Sequence, residues 1–542
     1  MIAINIIKNL AAVALCCAML ITSGCNDDDG SGYIFKFDIS ANPGTLDPQI
    51  ANDINAQTLI SNIYLGLLTT NADGSLSAGA AEDWYVSEDG LVYTFRLRQD
   101  IYWVDSGDFE RQCTAEDFVF GFQRLFRPET KAPRASEYFC IKNSRPINMG
   151  AITDMSLLGV KATAEFELEI TLEQPNPRFP SLLTEAPAMP CNEEFFLKSQ
   201  GKYGLSAECT PSNGAFYVKT WAYDPYTITD NNNLILRRNS KNSAARQVFP
   251  SGLNFFIEDS SDHTEDFLAG TTSCVAVTDE EAALISGDYG VVRFSNITTG
   301  LVFNRAFTPF RSEDFRKALA LLADRDKICA ALSHYEKAEA VVPAEVSIYE
   351  ESFREIAGAA ITPEYSPERA RELYAAAESG LDKQLFEGAR IIVRDDSAAQ
   401  AVGYLMQEWQ REFGFYCVIE NLSDEEYRSR LESGDYEIAV VDLSGSYNSP
   451  AAYLEHFSQS SAGSLRCFSD AEFEQLLSNA ATAADPKQSA ELYARAEQIV
   501  IDKAGFVPLY YKNEFFFTDG DTEDILYNPF NKTVVFSEAK KF

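Results

Sequence analysis

Three histidines, eleven cysteines and a large excess of carboxylates are the side chains here that could do chemistry, and their spacing favours none of it. His263, His334 and His456 are scattered, and none stands at metal-ligand spacing from another ligand. A lone histidine is far more often a surface or satisfied core residue than a base or a ligand. Adjacent carboxylates occur at Asp395-Asp396 and Glu425-Glu426. With 81 acidic residues against 45 basic ones, such pairs are expected on solvated faces. A two-carboxylate hydrolase is compatible with the composition, but nothing recommends it. There is no GxSxG elbow, Walker A loop, HExxH, GxGxxG or EF-hand loop. The sequence is therefore read as having no catalytic residues, no metal site and no cofactor.

Setting aside Cys16, Cys17 and Cys25, eight cysteines remain: Cys113, Cys140, Cys191, Cys209, Cys274, Cys329, Cys417 and Cys467. None form CxxC, and their wide spacing argues against zinc. An exported chain could form bridges, with Cys113–Cys140 or Cys191–Cys209 conceivable and buried free thiols the alternative.

The net charge of −36 repels phosphate backbones, so no nucleic-acid partner is expected. It also keeps the chain off anionic lipid, so membrane attachment has to come from an apolar segment or a covalent lipid. Lys8 precedes an apolar run over 10–21 that is short for a span and suited to a secretory signal. The run ends in Ile21-Thr22-Ser23-Gly24-Cys25, which resembles the lipobox of bacterial lipoproteins. That resemblance implies a signal peptide over 1–24 and lipidation at Cys25, with residues 25–32 as a flexible acidic tether.

From residue 33 onward no long low-complexity linker and no repeat interrupts the chain, so its units pack together. The segment 91–97 alternates with period two and reads as a strand. Thr114-Ala115-Glu116-Asp117 opens a helix as a capping box, with Phe118, Phe122, Leu125 and Phe126 on one face. Ser366-Pro367-Glu368 starts another, with Ala370, Leu373, Tyr374 and Ala377 as its buried stripe. Beyond Gly388 the reading is strand 389–393, helix 398–413, strand 415–419, helix 424–433 and strand 437–442, an α/β layer with mainly parallel strands. Helix 488–501 and an apolar strand-type run at 506–511 close the chain. Ligands of open α/β sheets sit at the carboxyl ends of strands, which directs attention to the loop after Asp442.

Leu46-Asp47-Pro48, Asn62-Ile63-Tyr64-Leu65-Gly66-Leu67, Ala81-Glu82-Asp83-Trp84, Ser87-Glu88-Asp89-Gly90 and Thr114-Ala115-Glu116-Asp117-Phe118 occur in that order. They are followed by Asn213-Gly214-Ala215-Phe216, Phe303-Asn304, Arg316-Lys317-Ala318-Leu319, Tyr447-Asn448-Ser449-Pro450 and Val507-Pro508-Leu509-Tyr510. This ordered set resembles the peptide and nickel class of solute-binding proteins of ABC importers, typified by oligopeptide-binding proteins. Locally, Gly66, Gly90 and Gly214 are read as turn glycines and Trp84 and Trp221 as core or lobe-interface anchors.

The resemblance implies a two-lobed α/β clamp of the periplasmic-binding-protein type with an additional inserted α/β domain. Lobe one is expected at 33–65, 199–298 and 506–542, the insert at 66–198 and lobe two at 299–505. Expected ligand contacts are Asp53, Asp442, Leu443, Ser444, Ser446, Tyr447 and Asn448. The implied partners are a small peptide or peptide-like solute, the permease subunits of an ABC importer and the membrane through lipid at Cys25, with the protein a monomer.

In peptide-binding relatives an Asp just before the Tyr-Asn-x-Pro element pairs with the peptide's α-ammonium, and Ser446 stands there instead. Serine offers no charge, so weaker dependence on a free α-amine is expected, with Asp442 the nearest substitute. The competing classes are an exported hydrolase, which turnover would reveal, and a surface sensor on the same fold, which would engage a receptor in place of a permease.

Overall fold

The computed structural model describes residues 32–542 except 72–74, 177, 227–231, 243–247, 258–262, 333, 349–350, 359–360, 387, 460, 462–463, 466 and 484. Cys25, the signal segment and nearly all of the tether lie outside the described residues.

The chain forms two lobes. In the first, strands Ile34–Ile39, Gly252–Ile257, Asn233–Arg238 and Phe216–Ala222 lie side by side in that order, the first pair parallel and the others antiparallel. A second sheet pairs Ala81–Val86, Val92–Leu97, Glu167–Thr171 and Val160–Ala164. Tyr93, Phe95 and Leu97 point inward as their alternation predicts. Gly90, at φ +68°, turns the chain between the first two strands, a conformation that favours glycine. Helix Ala115–Phe126 starts at the expected box, where the Asp117 carboxylate accepts from the Thr114 N–H at 2.8 Å. Its Phe118, Phe122, Leu125 and Phe126 join Phe35, Phe216 and Phe255 of the first sheet in one continuous core.

Two expectations for this half are corrected. Trp84 is 36% exposed on an outward-facing strand and is no core anchor, whereas Trp221 packs on the core and donates to Asn42 at 2.8 Å. Gly66 and Gly214 mark close approaches of backbone to backbone and not turns. A Cβ on Gly214 would lie 2.7 Å from the carbonyl carbon of Ile63, and one on Gly66 2.8 Å from the carbonyl oxygen of Leu183.

Lobe two is built on a seven-stranded sheet whose side chains alternate between two cores. Ile391, Val393, Ile438 and Val440 face one, while Ile392, Ala439, Val441 and Leu443 face the other. The expected helices form at Pro367–Glu378, Asp396–Phe413, Asp424–Ser433 and Pro486–Asp502. The strand expected at 415–419 lies later, at Val418–Asn421, with Phe415 buried ahead of it. The sheet is mixed and not mainly parallel: Arg390–Val393 runs parallel to Val418–Asn421 and Ile438–Ser444, but the remaining pairings are antiparallel.

The antiparallel part comes from two long strands, Gly290–Phe303 and Val507–Thr518, which run from one lobe into the other. Phe294 and Phe516 pack on the first lobe's core, while Leu301, Phe303, Val507 and Leu509 belong to the second's. Between the halves the register breaks, with Phe294 opposite Glu514 and Ile297 opposite Lys512. Ser295 and Asn296 thus oppose Asn513 alone, a bulge that bends and twists the ribbon. The Asp279 carboxylate accepts from the Asn513 N–H at 2.7 Å, and Glu345 accepts from the Ser295 N–H at 2.7 Å. All eight described cysteines are free, so neither conceivable bridge forms.

The Leu46-Asp47-Pro48 element joins strand and insert through a buried ion pair. Arg124 donates to Asp47 at 2.5 and 3.0 Å and to Gln49 at 2.7 Å. Both side chains are at most 5% exposed. Removing one member of such a pair leaves a buried uncompensated charge. Asp47→Asn is expected to destabilise the first lobe by about 3–5 kcal/mol, read as a lower urea midpoint at unchanged slope; a loss below about 1 kcal/mol, the scale of an exposed pair, would contradict this role.

Candidate functional site

Strand Ile438–Ser444 delivers the chain to a tight loop that ends at helix Pro450–Leu454. Gly445 permits the loop to lie on the Tyr453 ring, where a Cβ would come within 2.8 Å of a ring carbon. Ser449 caps the helix through Ala451 N–H, with Pro450 in the first turn. Ser446, Tyr447 and Asn448 are thereby presented to a cavity of about 1000 Å³ between the lobes. That volume suits a ligand of several residues.

The facing wall comes from the inserted segment, including Glu137, Arg178 and Glu185, and the floor includes Phe294 and Asn296 of a crossing strand. The Arg178 guanidinium lies 3.5 Å from the centre of the Tyr447 ring, a cation–π contact that joins the two lobes across the cavity. The Tyr447 hydroxyl donates to Glu455 at 3.1 Å, and Asn448 Oδ1 accepts from the Ser347 N–H at 2.8 Å. Burial pushes the Tyr447 phenol well above its ordinary range. Arg134 grips Glu137 in a fork at 2.7 and 2.8 Å and also pairs with Glu185. Burial works against the Arg178 charge, but Tyr447, Glu185, Glu455 and Glu137 outweigh it and hold its pKa above the ordinary value. Burial raises the Glu185 carboxyl despite both arginines.

The other expected contacts lie elsewhere. Asp53 is an exposed helix cap that accepts from Ala56 N–H at 2.8 Å. Asp442 accepts from Thr299 at 2.5 Å and from Lys512 at 3.1 Å, and pairs with Arg394. Burial would raise its pKa, yet Lys512, Arg394 and Thr299 together hold it below the usual carboxylate range. Leu443 is core, and the Ser444 carbonyl meets His456 Nε2 at 3.1 Å. Arg178, Glu137, Glu185 and Glu345 escape sequence reasoning. They are single charged residues in separate segments, without a motif, and only the fold brings them to one cavity.

Residues 75–464 match the family model described as bacterial extracellular solute-binding proteins, family 5, middle region. The chain is 26% identical over 494 residues to the probable deoxycholate-binding periplasmic protein YgiS of Escherichia coli K12, covering 88% of each chain. It is 25% identical over 524 residues to the oligopeptide-binding protein OppA of Bacillus subtilis 168, covering 93% of this chain and 92% of the relative. Among solved structures, the unliganded open form of the periplasmic murein tripeptide binding protein MppA superposes with a TM-score of 0.74 at 20% identity, covering 95% of this chain and 99% of the other. Listeria monocytogenes OppA bound to peptide gives 0.68 at 22%, covering 95% and 99%. At that identity the structural likeness speaks for the fold, a two-lobed periplasmic-binding-protein clamp, while the family match covers well over half of the chain. The chain belongs to the family 5 bacterial extracellular solute-binding proteins and is a binding protein, not an enzyme.

Proposed function

We propose that this protein, a lipid-anchored monomer, captures a peptide or peptide-like solute between its lobes and delivers it to the permease of an ABC importer. The observation that carries this reading is the cavity of about 1000 Å³ walled by both lobes, with the Tyr447 loop on one side and Arg178 on the other. Relatives named for oligopeptide binding in Bacillus subtilis and Salmonella typhimurium support the ligand class. Lobe two, at 299–505, swings against lobe one and its insert about the bulge at Ser295, Asn296 and Asn513. Ligand and closure stabilise each other, because contacts across the cavity form only when the lobes meet. The permease then recognises the closed form. The anchor in this reading is the lipid on Cys25, supported by the lipobox-like Ile21-Thr22-Ser23-Gly24-Cys25 at the end of the apolar run.

Three measurements test this reading. A short peptide at about 100 times its dissociation constant should raise stability by about 2.7 kcal/mol and compact the protein in small-angle scattering; binding without either change would contradict the clamp. Cys25→Ser should abolish fatty-acid labelling and release the protein from the membrane fraction; unchanged labelling would refute the anchor. Ser446→Asp should increase the preference for a free over an N-acetylated peptide about tenfold or more, the worth of one charge-assisted hydrogen bond. Calorimetry showing no change in that ratio would remove the loop from amine recognition.

A further inference from the structure

At the hinge end of the cavity stand two acceptors with hydrogen-bonding capacity left, Glu345 and Asn296. Glu345 is exposed in the cavity wall, its Oε2 held by the Ser295 N–H, and it forms no ion pair among the described residues. Asn296, one residue beyond Ser295, lines the same cavity and is 3% exposed. Its Nδ2 donates to the Pro529 carbonyl at 2.8 Å and to Glu514 at 3.3 Å. Two acceptors there fix the amide's orientation, so Oδ1 is the remaining group, and it is buried without a partner. An unmatched buried acceptor is costly until a donor reaches it.

No cation among the described residues meets that demand. Lys532 is paired with Glu514, and Arg178 is engaged with Glu137, Glu185 and the Tyr447 ring. Arg134 and Arg178 pair with Glu137 and Glu185, whereas Glu345 forms no ion pair among the described residues and Glu455 accepts from the Tyr447 hydroxyl. We propose that the hinge end of the cavity is a subsite for a cationic N–H donor of the solute, an ammonium or guanidinium, held by Glu345 and by Oδ1 of Asn296. The subsite deepens the solute-capture reading and rests on the interlobe cavity being the binding site. Its occupant would touch Asn296, a residue of the bulge, and Glu345, which holds the bulge's Ser295 N–H, so the same contact that selects a basic solute also braces the proposed hinge.

The test compares acetyl-Ala-Lys-Ala-amide with acetyl-Ala-norleucine-Ala-amide by calorimetry, with 1,5-diaminopentane as a non-peptide probe. N-acetylation removes the α-amine from the comparison. The lysine peptide is expected to bind about tenfold or more tightly. Glu345→Gln, which keeps an acceptor for the Ser295 N–H, should abolish the preference while melting with the wild type. Equal binding of the two peptides overturns the subsite and leaves the peptide reading standing. Binding of the diamine alone, lost in Glu345→Gln, supports the subsite and overturns the peptide reading. Failure of all three probes overturns both, and a preference that survives in Glu345→Gln overturns the assignment to Glu345.

Discussion

Satisfying two backbone N–H groups at one bulge sets the terms for the rest of this molecule. The strands Gly290–Phe303 and Val507–Thr518 pass between the lobes, and their ladder is interrupted where Ser295 and Asn296 oppose Asn513. Interrupted ladders leave donors that need partners. Here the partners are carboxylates from opposite sides: Asp279, ahead of the crossing, holds Asn513, and Glu345, from lobe two, holds Ser295. The bend is thus tied to both bodies that it connects, and loss of the acceptor at Glu345 acts on the bend directly.

The rest of the architecture keeps deformation at that point. The first sheet, the sheet of Ala81–Val86, Val92–Leu97, Glu167–Thr171 and Val160–Ala164, and helix Ala115–Phe126 share one core, so there is no apolar seam between them along which to slide. Lobe two has its sheet packed on both faces, and Gly300 brings the crossing strands together so closely that a Cβ there would lie 2.5 Å from the Val507 carbonyl oxygen. Close-packed interiors resist continuous distortion. In the proposed closure the bulge is the part left to yield, and the cavity lies beside it.

Legibility in the sequence follows the range of the determining forces. The capping box at Thr114 and the alternation from 389 to 442 are local, and the corresponding elements form within a few residues of where periodicity places them. The mixed character of the lobe-two sheet is not local. It depends on pairing strands about two hundred residues apart, of which only the apolar part of Val507–Thr518 reads as a strand. The Tyr447 loop is reachable through family resemblance, because its residues stand together in the chain. Asp442 shows the converse: a carboxylate at a strand end resembles a ligand contact until Arg394 and Lys512, more than forty residues away on either side, are seen to neutralise it. Arg178 and Glu345 carry no signal of their own, since their meaning lies in what faces them.

The eight free thiols give this extracytoplasmic family member an unusual relation to its surroundings. Its native state holds no covalent cross-link among them, so folding in an oxidising compartment is a race between collapse and adventitious bridging, won by hiding the sulfurs. Cys113, Cys191 and Cys274 lie in the first lobe and its insert, and Cys417 and Cys467 in the second, all buried, with thiols held protonated by that burial. Alkylation of these five is consequently a native tracer of breathing, because each of them when labelled reports which body opened, whereas Cys140, Cys209 and Cys329 are only half-buried. Secretion quality control meets the same chemistry, since a chain that lingers unfolded exposes as many as eight nucleophiles at once.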